Sequence, residues 1–373
     1  MSVPFLDLQA QSAEIRDEVL AGWTAALDSA GFVGGPRVDA FEREYAAYTG
    51  ARHCVGVGNG TDAIELALRA AGIGAGDEVI LPANTFIATA EAVVRAGATP
   101  VLVDVDPEHL LIDPQAVADA VTPSTRAIVA VHLFGQMAPM LPLRALAERH
   151  GLMLVEDAAQ SQGASQNGIV SGAAGAIAAT SFYPGKNLGA AGDGGAVTTS
   201  DAELARRVRV IAAHGSERKY VHELVGVNSR LDAIQAVVLS AKLARLERWN
   251  EARRAAADAY AEALGAPERI VLPRVAPGNV HAWHLYVVQL DDRDAVASAL
   301  AAEGIGTGIH YPTPVHLTQA FADFGWRRGQ FPVAEAAARR ILSLPMFPHL
   351  TVAQLAQVAD ALKRAIDARA VAA

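Results

Sequence analysis

Lysine is the scarcest charged residue of this chain: four lysines stand among 31 basic residues in a length of 373, and the rest are arginines. The formal net charge is −9, and no basic block interrupts the acidic balance. Nucleic acids and anionic membranes attract basic patches, so the composition argues against both as main partners. Because lysines are so few, the local sequence around each one is informative.

Cysteine and long apolar runs are also nearly missing. The single Cys54 cannot form an internal disulfide, which fits a reducing compartment, and we expect a cytoplasmic protein. Charged residues, glycines and prolines break the apolar stretches before the roughly 18 residues that a membrane span needs, and no secretory signal is visible at the N-terminus. The histidines form no HExxH motif and no Cys/His cluster, so we expect no catalytic metal.

Short apolar runs alternate with amphipathic helical stretches between residues 50 and 200. Several runs are continuously apolar, which is typical of strands that helices cover on both faces. The pattern predicts an α/β fold with a mostly parallel central sheet. The predicted strands are 53–57, 78–82, 100–105, 127–132, 152–156, 176–182 and 194–199.

The pattern changes beyond residue 201, where long helical stretches replace the alternation. We predict a large domain over residues 1–245, including an N-terminal arm, and a smaller α+β domain over residues 246–373. The later elements are predicted as helices over 202–213 and 231–264, a strand over 285–290, a helix over 293–303, an irregular Gly/Pro/His segment and a helix over 352–368.

Small and capping residues follow the first predicted strand. Gly60 and Thr61 open a helix and leave backbone N–H groups at its positive end, which suits a phosphate, although a simple helix cap would use the same residues. Thr61 stands where a dinucleotide fingerprint requires its third glycine, so an NAD-dependent oxidoreductase is disfavoured. The segment that ends at Lys186 is not a Walker loop either, because Asn187 follows the lysine.

Other strand ends carry an aromatic ring and an acid. Phe86 follows the second strand, where it could stack on a planar cofactor or pack as a core residue. Asp157 ends a strongly apolar strand, and a buried acid needs a partner. It is therefore either a loop or cap carboxylate or the anion that holds a buried cation, such as a protonated ring nitrogen.

The sixth strand leads into a turn rich in glycine and proline that contains Lys186. This lysine follows Ser181 by five residues and has aromatic neighbours but no nearby acid, a setting that suits a Schiff-base lysine. The other lysines have charged neighbours or lie in helical stretches, and we predict them at the surface: Lys219, Lys242 and Lys363. A phosphate cradle, an aromatic face, a carboxylate, a hydroxyl and an imine-forming lysine are together the requirements of pyridoxal phosphate.

With these motifs, the chain resembles the sugar aminotransferases of the DegT/DnrJ/EryC1/StrS family, which are fold-type I pyridoxal phosphate enzymes. The resemblance covers nearly the whole chain. It implies a fold-type I PLP-dependent transferase with an α/β large domain. The segments that carry it are 4–8, 34–42, 58–68, 78–90, 156–163, 181–195, 226–232 and 310–317.

The resemblance implies two catalytic residues, Lys186 as the imine-forming lysine and Asp157 as the partner of the protonated pyridine nitrogen. It implies pyridoxal 5′-phosphate as the cofactor, with pyridoxamine 5′-phosphate as its intermediate form. Asn228 would reach the phosphate from a neighbouring subunit, which implies a homodimer with shared active sites. The remaining cofactor contacts would come from Gly60, Thr61 and Ser181 at the phosphate, Phe86 at a ring face and Gln160 near the phenolic oxygen.

The resemblance also implies a nucleotide-linked keto sugar as acceptor and L-glutamate as donor. Family members that aminate C4 often carry a histidine where Tyr183 stands here, and the pattern around Tyr183 is similar to that of enzymes that aminate C3 of dTDP-linked 3-keto-6-deoxyhexoses. The candidates for sugar binding are Tyr183, His310, Tyr311 and His316, with Arg218, Lys219 and Tyr220 from the partner subunit, where a cation could meet the diphosphate.

Several alternatives stay open at this point. The acceptor could be a UDP-linked 3-keto sugar, a 4-keto sugar or a keto-cyclitol. A related sugar dehydratase typically has histidine at the position of Lys186, which argues against it. A non-catalytic regulatory protein is disfavoured because the set of cofactor residues is complete.

Overall fold

The predicted alternation of helices and strands is present in the computed structural model, which describes residues 2–265 and 269–370. The helices are α1 (Leu8–Asp28), α2 (Pro36–Thr49), α3 (Gly60–Ala70), α4 (Ile87–Arg95), α5 (Pro114–Ala120), α6 (Met140–His150), α7 (Ala202–Ala212), α8 (Ala233–Leu264), α9 (Arg293–Ala302), α10 (Pro332–Arg340) and α11 (Val352–Ala370). The strands are β1 (His53–Val57), β2 (Glu78–Pro82), β3 (Thr99–Val103), β4 (Thr125–Val131), β5 (Met153–Asp157), β6 (Ser165–Gln166), β7 (Ile169–Val170), β8 (Ile177–Ser181), β9 (Gly195–Thr199), β10 (Ser216–Arg218), β11 (Val221–His222), β12 (Asn279–Val280), β13 (Tyr286–Gln289) and β14 (Ile341–Leu344).

The central sheet has seven strands in the order β1-β9-β8-β5-β4-β2-β3. Neighbouring strands from β8 to β3 run parallel, and β9 is antiparallel to both of its neighbours. All seven predicted strands lie in this sheet, with ends that differ by at most two residues. The predicted mostly parallel α/β fold is therefore confirmed.

Both faces of the sheet are buried, which explains why its strands are continuously apolar. In β2, Val79 and Leu81 belong to one hydrophobic core and Ile80 belongs to the core on the opposite face. In β4, Val129 belongs to the same core as Val79, and Ile128 belongs to the core on the opposite face. Successive side chains of a strand point to opposite faces, so each face receives its own layer of helices.

The C-terminal part is built on the long helix α8 and on the antiparallel pair β13 and β14. Because α8 is continuous, the predicted boundary between residues 245 and 246 falls inside a helix, and the division into two domains stays a prediction. Parts of the second predicted domain, residues 266–268 and 371–373, lie outside the described residues. The segment predicted as irregular is partly regular, since it contains α10 and β14.

The parallel strands bring their carboxyl ends to one edge of the sheet, where ligands of such folds bind. The residues that follow β1, β2, β4, β5 and β8 all meet there. In the described parts of the chain, no helix combines the length and the apolar character that crossing a membrane requires.

Candidate active site

The strand ends surround a cavity of about 550 Å³. This is within the size range of pockets that hold a cofactor with a small substrate. The predicted site residues that line it are Gly60, Thr61, Phe86, Asp157, Gln160, Ser181, Tyr183, Lys186, His310 and Tyr311. The structure thus brings together residues that the sequence places up to 251 positions apart.

Asp157 is buried at the end of β5, and its carboxylate is held on two sides. Oδ2 accepts a 2.7 Å hydrogen bond from the Thr89 hydroxyl, and Oδ1 accepts a 3.1 Å bond from the backbone N–H of Ala159. Thr85 Oγ1 lies 2.7 Å from Thr89 Oγ1, and because the Thr89 proton goes to Asp157, Thr85 donates to Thr89. The two threonines on α4 and the preceding loop therefore fix the orientation of the carboxylate.

Glu156, the residue before Asp157, has a purely structural environment. It is fully buried, and its carboxylate accepts a 2.8 Å bond from His132 and bonds from the backbone N–H groups of Gly172, Ala174 and Gly175. Burial opposes ionisation, but these hydrogen bonds hold the pKa of Glu156 below its usual value. Of these two neighbouring acids, only Asp157 lines the cavity.

Lys186 follows a tight turn in which its backbone N–H donates to the carbonyl of Tyr183 at 2.8 Å. Burial lowers the pKa of Lys186 to about 8, although the negative charge of Asp157 acts in the opposite direction. Among the described residues, no side chain or carbonyl accepts a hydrogen bond from its amine. A lysine with this pKa has a substantial neutral fraction near pH 8 and can act as nucleophile or base.

The amino end of α3 forms a cradle against the end of β8. A methyl group on Gly60 would lie 2.5 Å from the Cβ of Ser181, so only glycine permits this approach. Asn59 caps the helix by accepting a 2.8 Å bond from the N–H of Asp62. The N–H groups of Gly60 and Thr61 then remain available, beside the Ser181 hydroxyl, for an anion at the positive helix end.

Gln160 and two aromatic rings form the opposite wall. Gln160 Oε1 accepts a 2.7 Å bond from the N–H of Phe134, and its Nε2 donates to the Tyr311 hydroxyl at 3.0 Å. The rings of Tyr311 and Phe86 lie 5.2 Å apart. Burial, together with the charge of Asp157, raises the pKa of Tyr311, so the phenol stays protonated.

His310 and Tyr183 lie on the outer side of the cavity. His310 Nδ1 is 2.8 Å from the Ser343 hydroxyl, and burial and the charge of Lys186 lower the pKa of His310 to about 4. Tyr183 is 61% exposed at the cavity mouth. The positions of both are compatible with contact to a second substrate that enters from solvent.

Besides His316, four predicted site residues lie outside this cavity. Arg218, Lys219 and Tyr220 belong to the exposed hairpin of β10 and β11, where Lys219 Nζ lies 5.0 Å from the Tyr220 ring centre. Asn228 is exposed, and its backbone pairs with Ala213. All four were predicted to act on the site of a partner subunit.

His316, a predicted sugar-binding residue, has a different position from the one expected. Its ring is buried, its Nε2 lies 3.0 Å from Glu335 Oε1, and it packs edge to face on Phe331 at 4.7 Å. Glu335 lies on α10, and His316 is not among the residues that line the cavity, so its role in sugar binding stays a prediction.

Lys242 was predicted at the surface, and this prediction is wrong. It is 5% exposed in α8, and burial lowers its pKa to about 8. Lys219 and Lys363 are exposed as predicted. Lys242 is buried because α8 is covered by other helices along its length, which a charged local sequence does not reveal.

Sequence reasoning also missed functional neighbours of the predicted residues. Thr89, which holds Asp157, and His284, which lines the cavity near Lys186, gave no local signal. Both are ordinary in their local sequence and gain importance only from tertiary proximity. In the described parts of the chain, no cluster of three or more His, Cys, Asp or Glu side chains is arranged to hold a metal ion.

Comparisons with known proteins identify the family. The chain is 50% identical over 361 residues to a dTDP-3-amino-3,4,6-trideoxy-alpha-D-glucose transaminase of Streptomyces venezuelae, covering 97% of this chain and 95% of that protein. It is 48% identical over 365 residues to a UDP-N-acetyl-3-dehydro-alpha-D-glucosamine 3-aminotransferase of Acidithiobacillus ferrooxidans, covering 98% of each.

Its structure is similar to that of S. venezuelae DesV in complex with a ketimine intermediate. The TM-score is 0.96 at 50% identity, with 97% of this chain and 98% of that chain covered. A family profile matches residues 13–363. The chain belongs to the DegT/DnrJ/EryC1/StrS aminotransferase family.

Proposed function

We propose that this enzyme uses pyridoxal 5′-phosphate to move an amino group from L-glutamate to C3 of a dTDP-linked 3-keto-6-deoxyhexose. The products are 2-oxoglutarate and a dTDP-linked 3-amino sugar. The observation that carries the proposal is the presence of Lys186 and Asp157 in the lining of one cavity, in a chain of an aminotransferase family.

The residues around the cavity fit this cofactor. The cradle of Gly60, Thr61 and Ser181 suits its phosphate, since a side chain at Gly60 would fill the space. Asp157 lies where a carboxylate can pair with a ring cation, and Phe86 and Gln160 would contact the ring and its phenolic oxygen. When bound, pyridoxal phosphate supplies a protonated aromatic ring that withdraws electrons from the carbon next to the transferred nitrogen.

The side chains have distinct tasks in this reaction. Asp157 keeps the ring nitrogen protonated, because a fixed carboxylate favours a neighbouring cation. Lys186 Nζ, in its neutral form, removes the proton from Cα of glutamate, and burial favours that neutral form. Glutamate and the sugar use the same site in turn, so we expect ping-pong kinetics.

A homodimer with shared active sites follows from the proposed role of Asn228. This residue is exposed and does not line its own cavity, which supports a contact with the phosphate as Asn228 of the partner subunit. Arg218, Lys219 and Tyr220 of the partner subunit would bind the sugar diphosphate, opposite Tyr183, His310 and Tyr311. We also propose a cytoplasmic location, which the free, buried Cys54 supports.

The choice of a dTDP-linked 3-keto sugar is supported by the S. venezuelae relative, whose name gives a dTDP-linked 3-amino sugar. The A. ferrooxidans relative favours a second candidate, a UDP-linked 3-keto sugar. Both relatives act at C3 by their names, which agrees with Tyr183 at the position where C4 enzymes often carry histidine.

The decisive experiment offers the purified enzyme glutamate and a panel of dTDP- and UDP-linked 3-keto and 4-keto sugars. We expect amination of the dTDP-linked 3-keto sugar, with the new C–N bond at C3 by NMR. If a UDP-linked 3-keto sugar is turned over faster than the dTDP-linked one, the UDP-linked sugar becomes the preferred acceptor. Absence of glutamate-dependent amination with every acceptor would contradict the proposal.

A further inference from the structure

His284 is a cavity residue whose hydrogen-bonding state is determined by the structure. It lies just before β13, lines the same cavity as Lys186, and is partly accessible through that cavity. Its Nδ1 lies 3.2 Å from Oδ1 of Asn187, the residue that follows Lys186. Which ring nitrogen carries the proton depends on the orientation of that amide.

Two backbone carbonyls set the amide orientation. Asn250 on α8 donates through Nδ2 to the carbonyl of Gln162 at 2.9 Å, so its Oδ1 is the acceptor for Asn187. Asn187 donates through Nδ2 to Asn250 Oδ1 at 2.9 Å and to the carbonyl of Ala282 at 2.8 Å. Both hydrogens of that amide are used, so its Oδ1 can only accept, and His284 Nδ1 carries the proton.

The backbone that carries His284 is held in place by hydrogen bonds to the segment after β4. The flanking N–H groups of Ala282 and Leu285 donate to the carbonyls of Gly135 and Phe134 at 2.9 and 3.1 Å. A methyl group on Gly135 would lie 2.7 Å from the backbone nitrogen of His284, so the two segments are in close contact. These contacts hold the His284 backbone in place, so its Nδ1 stays within reach of Asn187.

The second nitrogen, Nε2, is left as an acceptor without a partner among the described residues. Burial and then the positive charge of Lys186 lower the pKa of His284 well below its usual value, and Arg253, His310 and His281 act in the same direction. The ring therefore stays neutral at physiological pH. The amine of Lys186 is a donor that also lacks a partner in the described chain, and both groups face the same cavity.

We propose that His284 is a positioning residue for Lys186: in the cofactor-loaded enzyme, when substrate has displaced the amine from the cofactor, that amine turns to donate a hydrogen bond to the unprotonated Nε2 of His284. The proposal deepens the proposed function and rests on it for the role of Lys186. The hydrogen bond holds the amine at the site of proton transfer, and the Asn250–Asn187 chain keeps the acceptor nitrogen in place. His310 lacks such a fixed tautomer, because the Ser343 hydroxyl can donate or accept.

The first test measures the Lys186 amine itself, without relying on turnover. Purified full-length chain loaded with pyridoxamine phosphate is labelled with an amine acylating reagent across pH 6 to 10 and mapped by mass spectrometry. In H284F the ammonium form loses an acceptor, so we expect an apparent pKa of Lys186 about one unit lower and about fivefold faster labelling at pH 7. H284Q, whose amide oxygen can accept, should stay within about twofold of wild type.

The second test uses the holoenzyme in single turnovers with glutamate. We expect the rate in H284F to fall roughly 10-fold to 100-fold with little change in KM, and the α-deuterium isotope effect to increase, because proton transfer becomes more limiting. H284Q should recover most of the rate. H281Q is the matched control, since His281 is buried on the same segment but stacks on Trp283 away from this cavity.

Two results would overturn the proposal: an unchanged labelling profile in H284F, or a rate loss in H284Q as large as in H284F. If H284F does not fold, H284L removes the acceptor with a smaller side chain and decides the same question. A wild-type protein that does not transaminate would contradict the proposed function instead, while the labelling test, which needs no turnover, would still decide the hydrogen bond.

Discussion

Lys186 and Lys242 both point into cavities, and burial lowers the pKa of each to about 8. Their surroundings are opposite in character. The cavity of Lys186 contains the Asp157 carboxylate and a helix amino end, whereas the 350 Å³ cavity of Lys242 is lined mainly by apolar side chains of α1 and α8 and, within the described residues, by no carboxylate. A lowered lysine pKa therefore does not by itself identify the reactive amine. The reactive amine is identified by the carboxylate and the anion cradle beside it.

The largest expected difference concerns activity in the matched variants Lys186→Met and Lys242→Met. Removing Lys186 removes the base and the imine-forming amine, so we expect kcat to fall by roughly 1,000-fold or more. Removing Lys242 should leave kcat within about twofold. Steady-state assays with glutamate and the keto sugar measure both, and comparable losses in the two variants would remove the distinction between the cavities.

A second difference comes from Asp157→Asn. Loss of the carboxylate should lower kcat by roughly 100-fold, because the ring nitrogen loses its anionic partner. It should also lower the pKa of Lys186 below 8, since Asp157 opposes the effect of burial, while the pKa of Lys242 stays unchanged. Acylation of the two lysines across pH reports both values. Asp193→Asn is the control, because Asp193 lines the same cavity.

A third difference concerns stability. The pKa of Lys242 falls from 10.5 to about 8 on folding, which corresponds to a cost of about 3 kcal/mol for the protonated form at roughly 1.4 kcal/mol per unit. Lys242→Met should therefore raise the free energy of unfolding by up to about 3 kcal/mol at pH 7. Chemical denaturation with matched circular dichroism and fluorescence transitions measures it.

The pH dependence of that stability has a definite sign. Above pH 8 the folded state releases the Lys242 proton while the unfolded state keeps it up to pH 10.5, so wild-type stability rises relative to Lys242→Met as pH increases from 7 to 10. The gap between the two proteins should shrink over this range. A gap that is constant with pH would mean that Lys242 is not desolvated in the folded protein.

The smallest expected effect concerns the support of Asp157. Thr89→Val removes one 2.7 Å hydrogen bond from the carboxylate, so we expect kcat to fall roughly fivefold to tenfold. Thr85→Val, which acts only through Thr89, should have a smaller effect. A fall in kcat that is larger in Thr85→Val than in Thr89→Val would contradict this order of hydrogen bonds, from Thr85 through Thr89 to Asp157.

The sequence allowed most of the site to be predicted because parallel strands end at one edge of a sheet. Lys186, Asp157 and Gly60 each follow a strand, so their proximity follows from the fold class alone. His310 and His316 show the limit of such reasoning. Six positions apart in one irregular segment, they differ because His310 lines the cavity, whereas His316 contacts Glu335 on α10, which no local pattern indicates.

Lys242 and Thr89 show the same limit inside regular elements. The charged residues around Lys242 suggested a solvated face, but α1 packs over α8 at this position, as the residues that line the cavity show. Thr89 is one small polar residue on α4, and its role depends on the position of β5 across the sheet edge. Burial and long-range pairing depend on tertiary packing, which short sequence windows do not specify.

The most direct test of the account is to load the full-length protein with pyridoxal phosphate, reduce it with borohydride and map the modified lysine by mass spectrometry. We expect the pyridoxyl group on the peptide that contains Lys186, with Lys242 unmodified. Modification of Lys242 in place of Lys186, or no stable modification of either, would contradict it.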